Sequence, residues 1–307
     1  MTLNDGKFSI TVPASSANLG PGFDSMGVAL SLYLKLEVEK SEKWECFSTS
    51  EELKDLPGDE QHFICQVALQ TAAKYGVDLP PCRIKVESDI PLARGLGSSA
   101  SAIIAAIELA DYVGKLGLTK KEKLLLATDI EGHPDNVGAS LFGGLVIGSY
   151  QNGEVDILSL TETSFEMVAV IPKESLLTKD SRGVLPSTFS YPDAIQASST
   201  ANLLVAALLT KNWELAGKMM EQDLFHQPYR KPLIPFYKDV ETLAKSEGAF
   251  GVALSGAGPT LLCFSENGKG KSLEKELKTA LPHMSVRRLD IDYSGSKVYK
   301  LENVNRS

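Results

Sequence analysis

Residues 91–101, PLARGLGSSAS, combine glycines and serines directly in front of the apolar run IIAAIELA. Gly95 and Gly97 lack a Cβ, so the backbone there can approach a ligand closely. The first N–H groups of a helix have no partner within the helix, and the helix dipole favours negative charge at that end. A glycine-rich turn leading into a helix is therefore a typical anion site. The sequence predicts phosphate binding here, with an ordinary capped helix after a tight turn as the alternative.

Two familiar phosphate motifs do not account for this stretch. GLGSSA matches the G-x-G-x-x-A pattern of dinucleotide-binding folds, but that pattern also requires an acidic residue about 20 positions later, at the end of a second strand. The corresponding segment, KLGLTKKEK, does not have the pattern of a strand. A Walker A loop requires a lysine at the helix start, and this loop has no lysine.

Two further glycine-bearing stretches adjoin apolar segments: PASSANLGPGFDSMG (13–27) and GVALSGAGPTLLCF (251–264). The glycines and prolines of the first predict a loop, from which Asn18 and Asp24 present polar groups. Backbone capping is the simpler interpretation of these two side chains. A hairpin is the simpler interpretation of the second stretch, although Gly-Pro is an unusual choice for a hairpin turn.

All three stretches resemble motifs of the GHMP kinase superfamily, which includes galactokinase, mevalonate kinase and homoserine kinase. PLARGLGSSAS is similar to the P-x-x-x-G-L-G-S-S-A signature, whose loop wraps nucleotide phosphates at a helix N-terminus. The other two stretches are similar to the N-terminal and C-terminal glycine-rich motifs, and all three follow the order of the family. The resemblance therefore spans nearly the whole chain.

Four segments narrow the resemblance to the homoserine kinase family: PASSANLGPGFD, EGHPDNVGASLFGG (131–144), LTKDSRGVLP (177–186) and HQPYRKPLIP (226–235). The resemblance implies ATP-dependent phosphorylation of the L-homoserine hydroxyl to O-phospho-L-homoserine, on the route to threonine. Two alternatives stay open. One is another GHMP kinase for a small alcohol, such as a mevalonate-like kinase. The other is a catalytically silent nucleotide-binding protein on the same scaffold.

The resemblance also implies roles for the matching residues. ATP is expected to contact Pro91, Leu92, Ala93, Arg94, Gly95, Leu96, Gly97, Ser98, Ser99, Ala100, Ser101, Gly256 and Gly258. The amino acid is expected to contact Asn18, Asp24, His133, Arg182 and Arg230, the two arginines because a guanidinium fork suits a carboxylate. Asn136, Thr178 and Arg182 are expected to be the catalytic residues. No strong general base is expected, so catalysis would depend on positioning and charge stabilisation.

Phosphoryl transfer needs Mg²⁺ on the phosphates, and Mg²⁺ takes one or two oxygen ligands from a protein. Glu131 ends a predicted helix at 119–131 and offers a carboxylate, and Ser99 offers a hydroxyl. A solvated helix end is the simpler interpretation of Glu131, but an anion is poorly placed at a helix C-terminus. We therefore expect Ser99 and Glu131 to hold the metal, with Ser98 as the alternative hydroxyl ligand.

Hydrophobic periodicity predicts the elements that must position these residues. Strands are expected at 8–12, 32–39, 83–88, 142–150, 165–172, 251–255, 259–265 and 285–292, with a turn at 151–154. Helices are expected at 60–76, 98–116, 119–131, 194–210, 212–225, 233–247 and 270–280. The pattern predicts a domain boundary near residue 160, and the resemblance implies an α+β fold with an ATP-binding domain at 1–160 and a second domain at 161–307.

The family resemblance adds the kind of each domain. It implies that the first is similar to the second domain of ribosomal protein S5, with a left-handed crossover. It implies that the second is ferredoxin-like with added helices, and that ATP and the amino acid meet in the cleft between the two.

Composition limits the partners. Charged residues make up 23% of the 307 residues, and the net charge is −8 with a pI near 5.2. This charge argues against nucleic acid, which calls for a basic surface. The four cysteines show no C-x-x-C spacing and indicate reduced thiols. No signal peptide or membrane span is evident in the sequence, so a cytoplasmic protein is expected, and the family resemblance implies a homodimer.

Overall fold

The computed structural model describes residues 6–301, which form two β-sheets covered by helices. The strands are β1 (Phe8–Asn18), β2 (Gly22–Lys40), β3 (Glu45–Ser48), β4 (Cys82–Ser88), β5 (Leu145–Gln151), β6 (Glu154–Leu160), β7 (Phe165–Ile171), β8 (Gly251–Leu254), β9 (Leu261–Glu266), β10 (Ser285–Leu289) and β11 (Lys297–Lys300). The helices are α1 (Phe63–Lys74), α2 (Ser98–Gly114), α3 (Lys120–Glu131), α4 (Pro134–Phe142), α5 (Thr178–Gly183), α6 (Tyr191–Leu209), α7 (Trp213–Glu221), α8 (Gln227–Arg230), α9 (Tyr237–Ser246) and α10 (Gly270–Ala280).

The first sheet has seven strands, in the order β11-β1-β2-β4-β3, with β5 and β6 continuing from another part of the long strand β2. Its neighbouring strands are antiparallel except for β3 and β4, which run parallel because α1 connects them. The predicted turn at 151–154 joins β5 to β6 as a hairpin. The second sheet has four antiparallel strands in the order β10-β7-β9-β8.

The last described strand, β11, lies beside the first strand, β1. β11 pairs antiparallel with β1, so a segment beyond residue 290 completes the first sheet. Behind this strand the Ser296 hydroxyl donates to Glu108 at 2.7 Å, and Lys123 pairs with the same carboxylate at 2.7 Å. The division into domains at residue 160 stays a prediction, as does the handedness of the crossover. No helix within residues 6–301 is both long and apolar enough to cross a membrane.

Packing in the core determines the position of α2, the helix that follows the glycine-serine loop. Ile103, Ile104 and Ile107 of α2 are at most 1% exposed, and the helix packs on α1, α3, α4 and β1. A helix that is apolar on most of its circumference belongs inside a protein. Because α2 is held on several sides, its N-terminus has a defined place in the molecule.

The structure differs from the sequence prediction at residues 13–27. The expected loop is confined to residues 19–21, because β1 continues to Asn18 and β2 begins at Gly22. Ser15 and Ser16 are fully buried, and their hydroxyls bond to neighbouring side chains. A run of small residues often indicates a loop, but here the small side chains of β1 let other elements pack closely on the strand.

Candidate active site

One pocket collects residues from all the segments that the sequence singled out. It is lined by Ala17, Asn18, Phe23, Asp24, Ala93, Gly95, Gly97, Ser98, Ser99, Glu131, His133, Asp135, Asn136, Leu176, Thr178, Arg182, Arg230, Gly256 and Ala257. These residues come from the β1–β2 turn, the loop before α2, the α3–α4 junction, α5, α8 and the β8–β9 loop. Every predicted substrate, catalytic and metal residue lies in this lining.

The N-terminus of α2 opens into the pocket without a side-chain cap. Gly97 is the residue before the helix, with φ of 71°, and no side chain accepts a hydrogen bond from the first turn. The Ser101 hydroxyl donates to the carbonyl of Gly97 instead. Gly97 has no side chain that could cap the helix, so the first N–H groups can meet an anion, and phosphate binding here stays a prediction.

The two glycines of the loop are required by the protein's own packing. A Cβ on Gly97 would lie 2.2 Å from the Ser15 hydroxyl oxygen, and a Cβ on Gly95 would lie 2.2 Å from the Ser255 carbonyl oxygen. From the sequence, these glycines were expected to let a ligand approach the backbone closely. The structure shows that they let the loop pass between β1 and the β8–β9 loop, so their substitution would disturb the fold.

Not all of residues 91–101 face this pocket. Leu92 lines a neighbouring apolar pocket, which also shares Ser98 and Ser99. Arg94 turns away and donates to the carbonyls of Leu92, Pro172 and Lys173. Pro91 lines the same outer cleft as Arg94, whereas Leu96, Ala100 and Ser101 are buried in the core and Gly258 packs against Leu254 and Ile234.

A carboxylate and a hydroxyl meet beside the helix N-terminus. The Ser99 Oγ donates to Oε2 of Glu131 at 3.1 Å, across 32 residues of sequence. Glu131 is the last residue of α3, where a helix dipole disfavours an anion. Burial raises the pKa of Glu131, although His133 and the Ser99 hydroxyl oppose the shift. Two oxygen donors around a partly desolvated carboxylate suit a hard divalent cation such as Mg²⁺.

The α3–α4 junction presents a histidine held by an acid. Nδ1 of His133 lies 2.5 Å from Oδ1 of Asp135, which also accepts the backbone N–H of Asn136. Burial disfavours the charged imidazole, but the bond to Asp135 and the negative charges of Asp135, Asp24 and Glu131 together raise the pKa of His133. Asn136 donates to the carbonyl and hydroxyl of Ser15, which orients its side chain in the pocket.

An ion pair lines the same pocket, close to His133. The guanidinium of Arg182 donates to both carboxylate oxygens of Asp24, at 2.7 and 3.2 Å. Asn18 accepts the N–H of Asp24 and donates to the carbonyl of Gly256, so its amide holds the turn. These bonds match the simpler interpretation of Asn18, and its contact with substrate stays a prediction.

Arg230 is more deeply buried than the sequence suggested, with 2% of its surface exposed. Its guanidinium donates to the carbonyls of Ser181 and Gly256 and to Nδ1 of His226. Burial and then the charge of Arg182 lower the pKa of Arg230 to about 10. Arg230 therefore joins α5, α8 and the β8–β9 loop as well as lining the pocket.

Sequence reasoning missed two side chains in the lining. Asp135 was given no role from the sequence, yet it holds His133. Phe23 lies next to both arginines and was missed because an apolar residue carries no chemical signal. Its position in GPGFD, next to Asp24, was the available clue.

Comparison with known proteins places the chain among characterised families. The family model described as the GHMP kinases N terminal domain matches residues 62–144, and the GHMP kinases C terminal model matches residues 204–283. A homoserine kinase from Bacillus licheniformis is 52% identical over 96% of both chains. One from Bacillus velezensis is 52% identical over 95% of this chain and 94% of its own length.

Solved structures agree with the sequence relatives. A homoserine kinase from Cytophaga hutchinsonii is 26% identical and superposes with a TM-score of 0.84 over 97% of this chain and 98% of its own. A mevalonate kinase structure that is 19% identical superposes with a TM-score of 0.69 over 93% of this chain and 99% of its own, so it shares the fold. The predicted α+β, two-domain GHMP kinase fold is confirmed. Because the chain is 52% identical to these curated relatives along nearly its whole length, it belongs to the homoserine kinase family of the GHMP kinases.

Proposed function

We propose that this protein transfers the γ-phosphoryl group of ATP to the terminal hydroxyl of L-homoserine, giving O-phospho-L-homoserine for threonine biosynthesis. The observation that carries the proposal is the meeting of two kinds of subsite in one pocket. An uncapped helix N-terminus with the Ser99–Glu131 oxygen pair faces a wall that holds Asp24, Arg182 and Arg230. The curated relatives, 52% identical to this chain, carry the name homoserine kinase.

The nucleotide end of the site has a polar part and an apolar part. The free N–H groups at the start of α2 suit the phosphates. The adjoining apolar pocket, lined in part by Leu53, Leu56, Phe63 and Leu92, suits a flat purine base. Ser98 and Ser99 line both pockets, so one nucleotide can occupy them together.

Mg²⁺ would be held by Glu131 and Ser99. Both offer oxygen, the ligand atom that Mg²⁺ prefers, and a cation would compensate the desolvated carboxylate. When bound, the ion supplies charge neutralisation for the transferring phosphoryl group. The protein's own part is to hold these two oxygens beside the helix N-terminus.

The amino-acid end would take a zwitterion. Arg182 and Arg230 offer guanidinium groups to the α-carboxylate, while Asp24 offers a carboxylate to the α-ammonium. Arg182 and Asp24 bond to each other, so a ligand that binds both must supply an anion to one and a cation to the other. His133 and Asn18 complete this end in the proposal.

Catalysis would follow from positioning. Asn136, Thr178 and Arg182 line the space between the two ends, where the hydroxyl must point at the phosphorus. Near-attack alignment and preorganised donors lower the barrier of such a transfer without a strong base. The hydroxyl oxygen forms the new O–P bond while the bond from phosphorus to the ADP oxygen breaks, and the hydroxyl proton passes to an oxygen of the transferred phosphoryl group and from there to solvent.

A substrate panel tests the proposal. ADP release is followed with L-homoserine, mevalonate, galactose and shikimate, each at several concentrations with saturating MgATP. We expect kcat/KM for homoserine to exceed that for each of the others by at least about 10-fold, because mevalonate and shikimate lack the ammonium that Asp24 would bind and galactose lacks both charged groups. Comparable values for mevalonate would favour the mevalonate-like alternative, and no release with any alcohol would favour the silent one.

We also infer that the protein works in the cytoplasm as a homodimer. Tyr191, Ile195, Leu203 and Leu209 of α6 are 81%, 56%, 42% and 54% exposed, and Asp193 is the one charged residue of this helix. A second copy can cover such a face without opposing like charges. Light scattering after gel filtration should give twice the monomer mass for the wild type and the monomer mass for Ile195→Glu. A monomeric wild type would contradict this assembly.

A further inference from the structure

The ring of Phe23 lies next to both arginines of the amino-acid pocket. The guanidinium carbon of Arg182 is 5.5 Å from the ring centroid, and that of Arg230 is 5.3 Å away. Phe23 also stacks on the His226 ring at 5.3 Å and 21°. One half-buried side chain thus contacts three of the groups that shape this end of the pocket.

Bringing two guanidinium groups to one carboxylate creates a physical difficulty. The groups repel each other, and the lowered pKa of Arg230, which burial and Arg182 cause, reflects that repulsion. Carbonyl groups hold Arg230, and Asp24 holds Arg182, but the carboxylate of Asp24 is also the proposed partner of the substrate ammonium. Arg182 therefore needs a support that remains when Asp24 turns to the ligand.

An aromatic face is such a support, because its quadrupole attracts cations. His226 adds no third charge next to the arginines, since burial and Arg230 lower its pKa to about 3. Its Nδ1 accepts from Arg230 and its Nε2 faces the carbonyl of Gly20 at 2.9 Å, which is the arrangement of a neutral ring. The Phe23 ring, stacked on the neutral His226 ring, thus presents an uncharged aromatic surface to both cations.

We propose that Phe23 is a positioning residue for the substrate carboxylate, because its ring holds Arg182 and Arg230 in place to bind that group together. This inference rests on the proposed homoserine kinase activity. It assigns Phe23 an effect on one end of the substrate: the carboxylate should be held less well without the ring, whereas the ammonium and ATP should be held as before.

Phe23→Leu and Phe23→Met test the role, because both fill space in the core without an aromatic face. Loss of one cation–π contact predicts a rise of about 2- to 30-fold in KM for homoserine. KM for ATP and the inhibition constant of 3-aminopropanol, which lacks the carboxylate, should change less than about twofold. Phe23→Tyr restores the aromatic face and should return KM to near the wild-type value.

Phe47→Leu is the matched control. It removes a cation–π contact with Arg83, 5.9 Å from the ring and outside the pocket, and should leave all these constants unchanged. Circular dichroism identifies the folded variants, and one folded aliphatic variant is enough. The inference is overturned if KM for homoserine stays within twofold of wild type, or if 3-aminopropanol binding weakens by the same factor. A wild-type enzyme that does not phosphorylate homoserine would instead overturn the proposed function.

Discussion

At the scale of single residues, the oxygen pair of Ser99 and Glu131 carries the clearest chemical signal. Glu131 stands where a helix dipole disfavours it and where burial raises its pKa, so the fold keeps a carboxylate there at a cost. The sequence predicted this pair because a carboxylate and a hydroxyl can be recognised by type. It could not show the 3.1 Å contact, which depends on the packing of α3 against α2.

Glu131→Gln keeps the shape of the side chain and removes its charge. We expect kcat to fall by at least about 100-fold and the Mg²⁺ concentration for half-maximal activity to rise, because the metal loses its anionic ligand. Asp129→Asn, on the same helix and bonded to the Tyr150 hydroxyl, is the control. Near-normal activity of Glu131→Gln at low Mg²⁺ would contradict the assignment.

Arg182 and Arg230 should respond differently to substitution. Arg182 is partly exposed and bonded to a side chain, so Arg182→Ala should fold and lower kcat/KM for homoserine by about 10- to 150-fold. Arg230→Ala leaves buried carbonyls without a donor and should also lower the free energy of unfolding by about 1–3 kcal/mol. Urea unfolding and steady-state kinetics separate the two effects. Equal unfolding midpoints for the two variants would contradict the role of Arg230 in joining α5 and α8.

At the scale of elements, the three glycine-bearing motifs are one structural unit. Ser15 N–H donates to the carbonyl of Leu96, Gly256 N–H donates to that of Ala17, and the Ser255 hydroxyl donates to that of Gly95. The motifs could be predicted because each has a distinctive composition. Their mutual bonds and the pairing of β11 with β1 could not, since long-range pairing has no local signal in the chain.

Gly97→Ala should destabilise the fold rather than weaken ATP binding alone. Both Gly97 and Gly76 have positive φ, 71° and 69°, but only at Gly97 would a Cβ meet another atom, the Ser15 hydroxyl at 2.2 Å. Gly76→Ala thus measures the backbone strain of about 1–2 kcal/mol. Gly97→Ala should cost at least about 1 kcal/mol more. Equal unfolding free energies for the two variants would show that the loop does not depend on this contact.

The short helix α8 makes folding sensitive to acid through His226. Burial, and next the charge of Arg230, lower the pKa of His226 to about 3, whereas an unfolded histidine has a pKa of about 6.5. Between these values the unfolded chain binds more protons, so stability that is present above about pH 6.5 is lost as the pH falls. From pH 7 to pH 5 this amounts to about 2 kcal/mol. Urea unfolding at both pH values should show this loss of unfolding free energy in the wild type but not in His226→Gln. An equal loss in the two proteins would contradict the role of His226.

At the scale of the whole molecule, two segments far apart in sequence build one reaction site. The phosphate end lies on helices α2 and α3 beneath the first sheet, and Arg182 and Arg230 come from the segment after β7. The composition and the three motifs were enough to predict the fold class and the family. The depth of Arg230, the bond between Asp24 and Arg182 and the role of Phe23 needed the structure, because they arise where these segments meet.

Identification of the product is the most direct test of the central claim. The protein is incubated with ATP, Mg²⁺ and L-homoserine, and ³¹P NMR follows the phosphorus species. The account predicts one phosphomonoester on the homoserine side-chain oxygen for each ADP formed, and no phosphomonoester when 3-aminopropanol replaces homoserine under the same conditions. Release of inorganic phosphate with no homoserine ester, or an equal yield of ester from 3-aminopropanol, would contradict it.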